Sequence, residues 1–349
     1  MAARQKRGKV TTTDIATRLG ISQASVSRAL HGKGVSPAMI QRVREAAVEL
    51  GYLTRDQVAQ LATRSHGFLA LLVPDGTNPF FSDVMVTFQR VATQSSKHVV
   101  VAPFQHSMDE FRRYMDYFTR RRRADGLVIY PMHDPAVTEV IAAASGESAP
   151  IVLMGSSLLP LVHTIDADFA SAGREMGLHL IQQGHRRIGF IHALYLGACG
   201  GLGQADGRLL GLRHALAESG LPWDEDKYLV QCETTMLDGY QAALRLLRQD
   251  EPPTAIFAIN DFMALGVLQA AAEAGLRVPQ DLSVAGFDNV SIAQPFGLTT
   301  ADPRLDEVAQ AAISMIVDAV GRRHPAGHPQ ARSFTPRLII RKTTGPAPA

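Results

Sequence analysis

Hydrophobic positions along this chain follow two rhythms, and the change from one to the other divides it. Over the first fifty residues they recur every three or four positions: Ile15, Ala16 and Leu19, then Val26 and Leu30, then Ile40, Val43, Ala47 and Leu50. That spacing predicts three amphipathic helices, the first two joined by a turn at Gly20. Thr11 is placed to cap the first, with Asp14 as its reciprocal partner, and Ser22 to cap the second. Ser36-Pro37 opens the third and Gly51 closes it. Gln23, Ala24, Ser25, Ser27 and Arg28 remain on the outer side of the second helix.

From Gly67 onward, apolar runs of strand length alternate with amphipathic stretches. The runs are Phe68–Val73, His98–Ala102, Gly126–Tyr130, Ile151–Met154, Arg187–His192, Tyr228–Gln231, Thr254–Ile259 and Ser283–Gly286. Helical patterns lie between them at about 81–96, 109–121, 136–144, 170–183, 206–219, 237–249 and 261–275. A last helix at about 304–322 and a strand at Arg337–Arg341 follow. This alternation predicts right-handed βαβ units and parallel sheets, too many strands for one sheet and so two lobes. Ligands of such sheets sit beyond the carboxyl ends of the strands, here a cleft between the lobes. Thr54–Arg64 reads as a polar connector that becomes helical only with a partner, and Thr343–Ala349 as a disordered tail.

Charge sharpens the division. The chain of 349 residues holds 35 basic and 33 acidic side chains; residues 1–64 hold eleven and four, net +7, which leaves the remainder at 24 against 29, net −5. A basic head on an acidic body points to phosphate contact at one end. With the helix-turn-helix pattern, the partner expected there is DNA. A 46% hydrophobic composition can bury a large core, no apolar run reaches bilayer length, and no apolar segment follows the basic N-terminus. Cys199 and Cys232 lack metal-type spacing, and two thiols suit a reducing cytoplasm.

In this order, head, connector and body resemble the lac repressor (LacI/GalR) family of bacterial transcription regulators. The resemblance runs from Val10 to Lys342. It rests on TDIATRLGISQASVSRALHGKGVSPAMIQRVREAAVELGY (13–52), PDGTNPFFSDV (74–84), RRADGLVI (122–129), QGHRRIGFI (183–191) and INDFMALGVLQAAAEAGLRVPQDLSVAGFDN (259–289). It implies an all-α helix-turn-helix headpiece (1–53), a hinge helix (54–65) and an α/β, two-lobed, periplasmic-binding-protein-like body with Rossmann-like parallel sheets (66–342). The first lobe would take about 66–165 and 293–325, the second about 166–292 and 326–342. It also implies a homodimer, or a tetramer, on pseudo-palindromic double-stranded operator DNA in the bacterial cytoplasm and nucleoid. The effector would be a small molecule of carbohydrate type; no cofactor, metal or membrane is called for.

By the same resemblance Gln23, Ala24 and Arg28 meet base edges, Thr11, Ser25 and Ser27 bond phosphate, and Arg55 adds phosphate affinity. Leu61 matches the hinge leucine that wedges into the minor groove, its alternative role being to cap the body's core. Thr54-Arg55 stand where the family's hinge begins with Pro-Asn. In the body, Arg208 and Asp288 match effector-binding positions, Asn260 (with Asp261) a strand end near ligand, Phe80 a first-lobe aromatic, and Asp168 an acidic position at the pocket. Thr234 stands where some members carry a stacking aromatic, and Phe262 where others carry a polar side chain. An Arg fork, carboxylates and an aromatic face suit a polyol. Trp223 and Arg120–Arg123 read as surface.

The expected function is repression of a catabolic operon under effector control, by induction or corepression. Two alternatives stay open: a cytoplasmic sugar-binding protein without gene regulation, and a corepressor-dependent regulator answering to a non-sugar metabolite. A dinucleotide-binding enzyme is disfavoured, because Asp206 stands where the glycine fingerprint starting at Gly201 needs Gly or Ala. A transport binding protein fits the body but not the head.

Overall fold

The computed structural model describes residues 12–30, 36–50, 67–74, 78–121, 123–131, 135–145, 149–155, 161–193, 207–321 and 329–348. Residues 1–65 and 66–349 form two separate compact units.

The first unit holds α1 (Thr12–Leu19), α2 (Gln23–Leu30) and α3 (Pro37–Leu50). Gly20 takes φ +65°, which costs glycine little, and this lets Ile21 N–H return to the Ala16 carbonyl at 3.1 Å. Ser22 caps α2 by accepting from Ser25 N–H at 3.2 Å. Ile15, Ala16, Val26, Ala29, Val43 and Ala46 form the core, with Leu19 and Leu30 half-buried at its edge. The proposed Thr11–Asp14 cap and the connector lie outside what the structure describes.

The body is built on two parallel sheets. The first holds β1 (Phe68–Val73), β2 (His98–Pro103), β3 (Leu127–Ile129), β4 (Ile151–Met154), β5 (His163–Ala167) and β11 (Ala331–Phe334), in the order β11-β5-β4-β3-β1-β2. The period-two pattern of β1 feeds both faces. Leu69, Leu71 and Val73 pack with α4 (Pro79–Gln94) and α12 (Leu305–Gly321), while Ala70 and Leu72 pack with α5 (Met108–Met115) and α6 (Pro135–Ala144). A π-helical turn at Asp116–Arg120 ends α5, and Arg120, Arg121 and Arg123 are exposed as expected.

The second sheet holds β6 (Ile188–Ala193), β7 (Leu229–Cys232), β8 (Ala255–Ala258) and β9 (Ser283–Ala285), in the order β7-β6-β8-β9. α7 (Phe169–Gln182), α8 (Gly207–Glu218), α10 (Met236–Leu247) and α11 (Asp261–Glu273) surround it, and the short helix α9 (Glu225–Tyr228) precedes β7. β10 (Thr300–Asp302) and β12 (Arg337–Ile339) form an antiparallel ribbon on this lobe. Among the described residues no helix is long and apolar enough to cross a membrane.

Four expectations need correction. The chain crosses between the lobes after β5, between β10 and α12, and between β11 and β12, so β11 belongs to the first lobe and residues 293–302 to the second. β5, β10 and β11 are strands without an apolar run to announce them. Trp223 is half-buried against the second-lobe core, its indole donating to the Ile188 carbonyl at 2.8 Å. The tail is docked through residue 348, not disordered. Val284 N–H donates to the Thr343 carbonyl at 2.7 Å, and Ala347 N–H to the Gln183 carbonyl at 2.7 Å.

Two buried histidines grip that tail. His179 Nε2 hydrogen-bonds with Thr344 Oγ1 at 2.9 Å. His185 donates from Nε2 to the Gly345 carbonyl at 3.1 Å while its Nδ1 pairs with Thr254 Oγ1 at 2.9 Å. Burial lowers both pKa values from 6.5, and the charge of His179 lowers that of His185 further. A folded-state pKa below the unfolded one gives stability that is complete above about 6.5 and is lost as pH falls. Buried Asp261 has the opposite sign, so the comparison needs a variant. From about pH 8 to about pH 5, wild type is expected to lose more stability in urea unfolding than His185→Gln. Equal losses would show that His185 does not titrate against the fold.

Candidate functional site: a cleft at the strand ends

The candidate effector site grows from Arg208, in the first turn of α8. Its guanidinium lies 4.7 Å from the ring centre of Phe169 and 5.0 Å from that of Phe287, and donates to the Ile259 carbonyl at 3.0 Å. Phe169 and Phe287 themselves meet edge to face at 5.7 Å. Held between two aromatic faces, the charge keeps one orientation, as cation–π geometry favours. Each of the three groups holding it adjoins a predicted site residue: Asp168 precedes Phe169, Asn260 follows Ile259, and Asp288 follows Phe287. Asp168, Arg208, Asn260 and Asp288 are thereby gathered at the starts of helices and the carboxyl ends of second-lobe strands.

Two of these are also helix caps. Asp168 accepts from Ser171 N–H at 2.9 Å, and hydrogen bonds from Ser171 hold its carboxyl below the usual range. Asn260, 5% exposed, accepts from Met263 N–H at 2.8 Å. Asp288 sits in a turn with φ +103°, followed by Asn289 at +52°. Left-handed backbone on residues other than glycine costs about 1–3 kcal/mol and persists only where neighbours enforce it.

Asp261 supplies that enforcement. Fully buried, it accepts from Val290 N–H at 2.9 Å and from Thr300 Oγ1 at 2.6 Å. Arg341 donates to Asn289 Oδ1 at 2.6 Å from the other side. Burial pushes the Asp261 carboxyl up to about 7, against the pull of its hydrogen bonds.

The first lobe contributes aromatic rings. Phe80, in the first turn of α4 under an Asn78 cap, packs against hydrophobic clusters of both lobes. It meets Phe81 at 5.3 Å and Tyr130 at 6.1 Å, edge to face. Burial raises the Tyr130 hydroxyl's pKa, and the charge of Asp288 raises it further, so the two lobes feel each other electrostatically here. Thr234 lies half-buried in the bend before α10, and Phe262 half-buried in the first turn of α11. Among the described residues neither joins the Arg208 group by a hydrogen bond or ring contact.

Sequence reasoning missed Tyr130, Phe169 and Phe287, and gave Asp261 only a parenthesis. Tyr130 follows β3 directly, so the strand-end rule could have found it. In the head, Gln23, Ala24, Ser27 and Arg28 are exposed and Ser25 is half-buried. Gln23 Nε2 donates to Thr12 Oγ1 at 2.9 Å, and Arg28 Nε to the Ala24 carbonyl at 3.4 Å. Thr11, Arg55 and Leu61 lie outside the described residues.

Comparison with known proteins agrees with this architecture. A family model described as a periplasmic binding protein-like domain matches residues 178–344. The HTH-type transcriptional repressor CytR of Escherichia coli (strain K12) is 30% identical over 355 residues, spanning 100% of both chains. Among solved structures, the transcriptional regulator CelR in complex with cellobiose is 26% identical, covers 96% of this chain and 99% of its own, and superposes with a TM-score of 0.67. The lac repressor dimer bound to operator and the anti-inducer ONPF shares the fold at 23% identity, covering 97% and 100%, with a TM-score of 0.68. With a helix-turn-helix head, a two-lobed parallel body and this end-to-end similarity, the chain belongs to the LacI/GalR family of transcription regulators.

Proposed function

We propose that the chain is a repressor, not an enzyme, whose hold on a pseudo-palindromic operator is set by a small molecule bound between the lobes of its body. The observation that carries this reading is the caged Arg208, stacked on the ring that precedes Asp288, with Tyr130 of the other lobe near enough to Asp288 to feel its charge. An oriented guanidinium and a carboxylate bond hydroxyls, and an aromatic face covers the CH surface of a sugar. A carbohydrate is therefore the first effector class, in keeping with the cellobiose bound to CelR. A planar non-sugar metabolite is the second reading. It is favoured by the mutual contacts of Phe80, Phe81 and Tyr130 at 5.3–6.1 Å, which give a continuous aromatic wall.

In the head, Gln23, Ala24 and Arg28 are assigned to base edges, Thr11, Ser25, Ser27 and Arg55 to phosphate, and Leu61 to the minor groove. Arg28 rests on its own helix carbonyl and must swing out to reach a guanine. Arg28→Ala is expected to weaken specific operator binding by about 1–3 kcal/mol and to relax the choice of base at one position. Filter binding on a selected operator and on scrambled duplex, at two salt concentrations, checks this. Equal weakening on both duplexes would reassign Arg28 to phosphate.

Pairing of two chains is supported by exposed apolar side chains. Val86 on α4 is 68% exposed, and Ile292 and Phe296 of the adjoining 3₁₀ turn (Ser291–Phe296) are 52% and 56% exposed. Exposed apolar groups on adjoining elements mark a contact surface, and a homodimer in the bacterial cytoplasm is the assembly assigned. A thermal-shift screen of mono- and disaccharides, then of planar metabolites, tests the effector class. Ligand at 100 times its dissociation constant adds roughly 2.7 kcal/mol. Failure of both classes to stabilise the protein would overturn the cleft as its sensor.

A further inference from the structure

The turn that carries Asp288 is held by both lobes at successive peptides. Val290 N–H donates to Asp261 of the second lobe at 2.9 Å. The next amide, Ser291 N–H, donates to Asp83 of α4 in the first lobe at 2.7 Å, and Ser291 Oγ donates to the other carboxylate oxygen at 2.8 Å. Consecutive backbone amides are thus taken by carboxylates of opposite lobes, three residues beyond the candidate effector aspartate.

The surroundings fit a contact that can be made and broken. Both Asp83–Ser291 bonds are exposed, whereas the Asp261 bond to Val290 is buried. A cavity of about 370 Å³ opens beside them, lined by Asp83, Val86, Thr87, Asp288, Asn289 and Ser291, among others. Asp302 and Arg304, at the crossing from β10 into α12, also line it, so this open space lies against an inter-lobe crossover. The second-lobe grip on the turn is fixed, and the first-lobe grip is the one with room to move.

We infer that Asp83 and Ser291 form a latch that sets the arrangement of the two lobes and through which the Asp288 turn is felt by α4. The inference rests on reading Asp288 as an effector residue, and it adds the route by which occupancy leaves the cleft. An effector that displaces Asp288 strains Ser291 and loosens its two hydrogen bonds to Asp83. The helix released also carries Phe80 at its start and exposed Val86 one turn beyond Asp83.

The test uses the full-length chain without effector. Spin labels go on Glu139→Cys in the first lobe and Gln241→Cys in the second, both exposed helix positions. The background is Cys199→Ser; native Cys232 is half-buried with its thiol pushed up to about 11, and so labels slowly. Wild type is expected to give one narrow inter-lobe distance by double electron–electron resonance. Asp83→Ala should broaden or shift it and change affinity for a selected operator by about tenfold, within the usual range of allosteric coupling. Ser291→Ala should act in the same direction, and Ser291→Thr, which keeps the hydroxyl, should restore the narrow distance. The double variant should go no further than Asp83→Ala, because Ser291 acts through Asp83. An unchanged distance in both alanine variants, or additive effects in the double variant, overturns the latch. Asp288→Asn leaves both latch bonds in place, so its failure would count against the effector reading alone.

Discussion

Asp288→Asn is expected to blunt the response to whichever saccharide or planar metabolite stabilises wild type, while operator affinity without that compound stays as it was. The substitution removes one charge and keeps the size of the side chain. Asparagine tolerates a left-handed backbone at least as well as aspartate, so φ +103° adds no new cost. The turn keeps its anchors, since Asp261, Thr300, Arg341 and the Asp288 N–H bond to the Ala301 carbonyl are untouched. What disappears is a carboxylate in hydrogen-bonding reach of the cleft. A bond to a charged group is worth about 1.5–3 kcal/mol, so affinity should fall by roughly ten- to a hundredfold. Calorimetric titration of both proteins reads the loss directly. Undiminished affinity would mean that the compound binds elsewhere in the body.

Gly266→Ala should cost stability heavily. α10 and α11 meet through Gly239 and Gly266, and a Cβ on Gly266 would fall on the Met236 carbonyl oxygen and the Tyr240 amide, far inside van der Waals contact. Both obstacles are backbone, so no side chain can turn aside and the helices must separate. Overpacking of this kind costs about 1–3 kcal/mol or more. Gly239→Ala meets the Met263 carbonyl in the mirror arrangement and should behave alike. Gly220→Ala provides the contrast. It has open space around it and φ +64°, so it suffers only left-handed strain of about 1–2 kcal/mol. Urea unfolding of the three variants should rank Gly266 and Gly239 well above Gly220. The opposite order would mean that the helix pair has slack.

Those glycines show what the sequence could and could not convey. The first-unit helices were legible because Ile15, Val26 and Val43 recur at helical spacing and Gly20 and Ser22 punctuate them. β1, β4 and β8 were legible because each is an apolar run buried on both faces. β5 and β11 were not. In His163–Ala167 only Ile165 is buried, and Ala331–Phe334 has no fully buried side chain. β11 forms the sheet edge and β5 lies next to it, paired on both sides, so backbone pairing holds them with little apolar alternation. The lobe limits failed for the same reason: without β11, the last crossing cannot be placed.

The site was legible where charge and position coincide. Arg208, Asp288, Asn260 and Asp168 each stand at a strand end or helix start, and the fold gathers them. Phe169 and Phe287 were hidden, because an aromatic beside a strand end looks like core until the guanidinium between the rings is seen. The Pro- and Ala-rich tail misled by composition. Thr344 and Gly345 hold buried histidines, an arrangement that depends on residues about 160 positions away in sequence.

The three crossings also bear on synthesis. Neither lobe is a continuous length of chain: the first waits for Ala331–Phe334 to complete its sheet, and the second waits for Arg337–Ile339 and Thr343–Ala347 to close over β9, β10 and His185. While its last residues are still inside the ribosome, the growing polypeptide has an open sheet edge in one half and an uncovered core in the other. The DNA-reading head emerges long before either is finished. A prematurely terminated product would therefore carry that head without a working sensor, and its unclosed halves would mark it for chaperones and proteases.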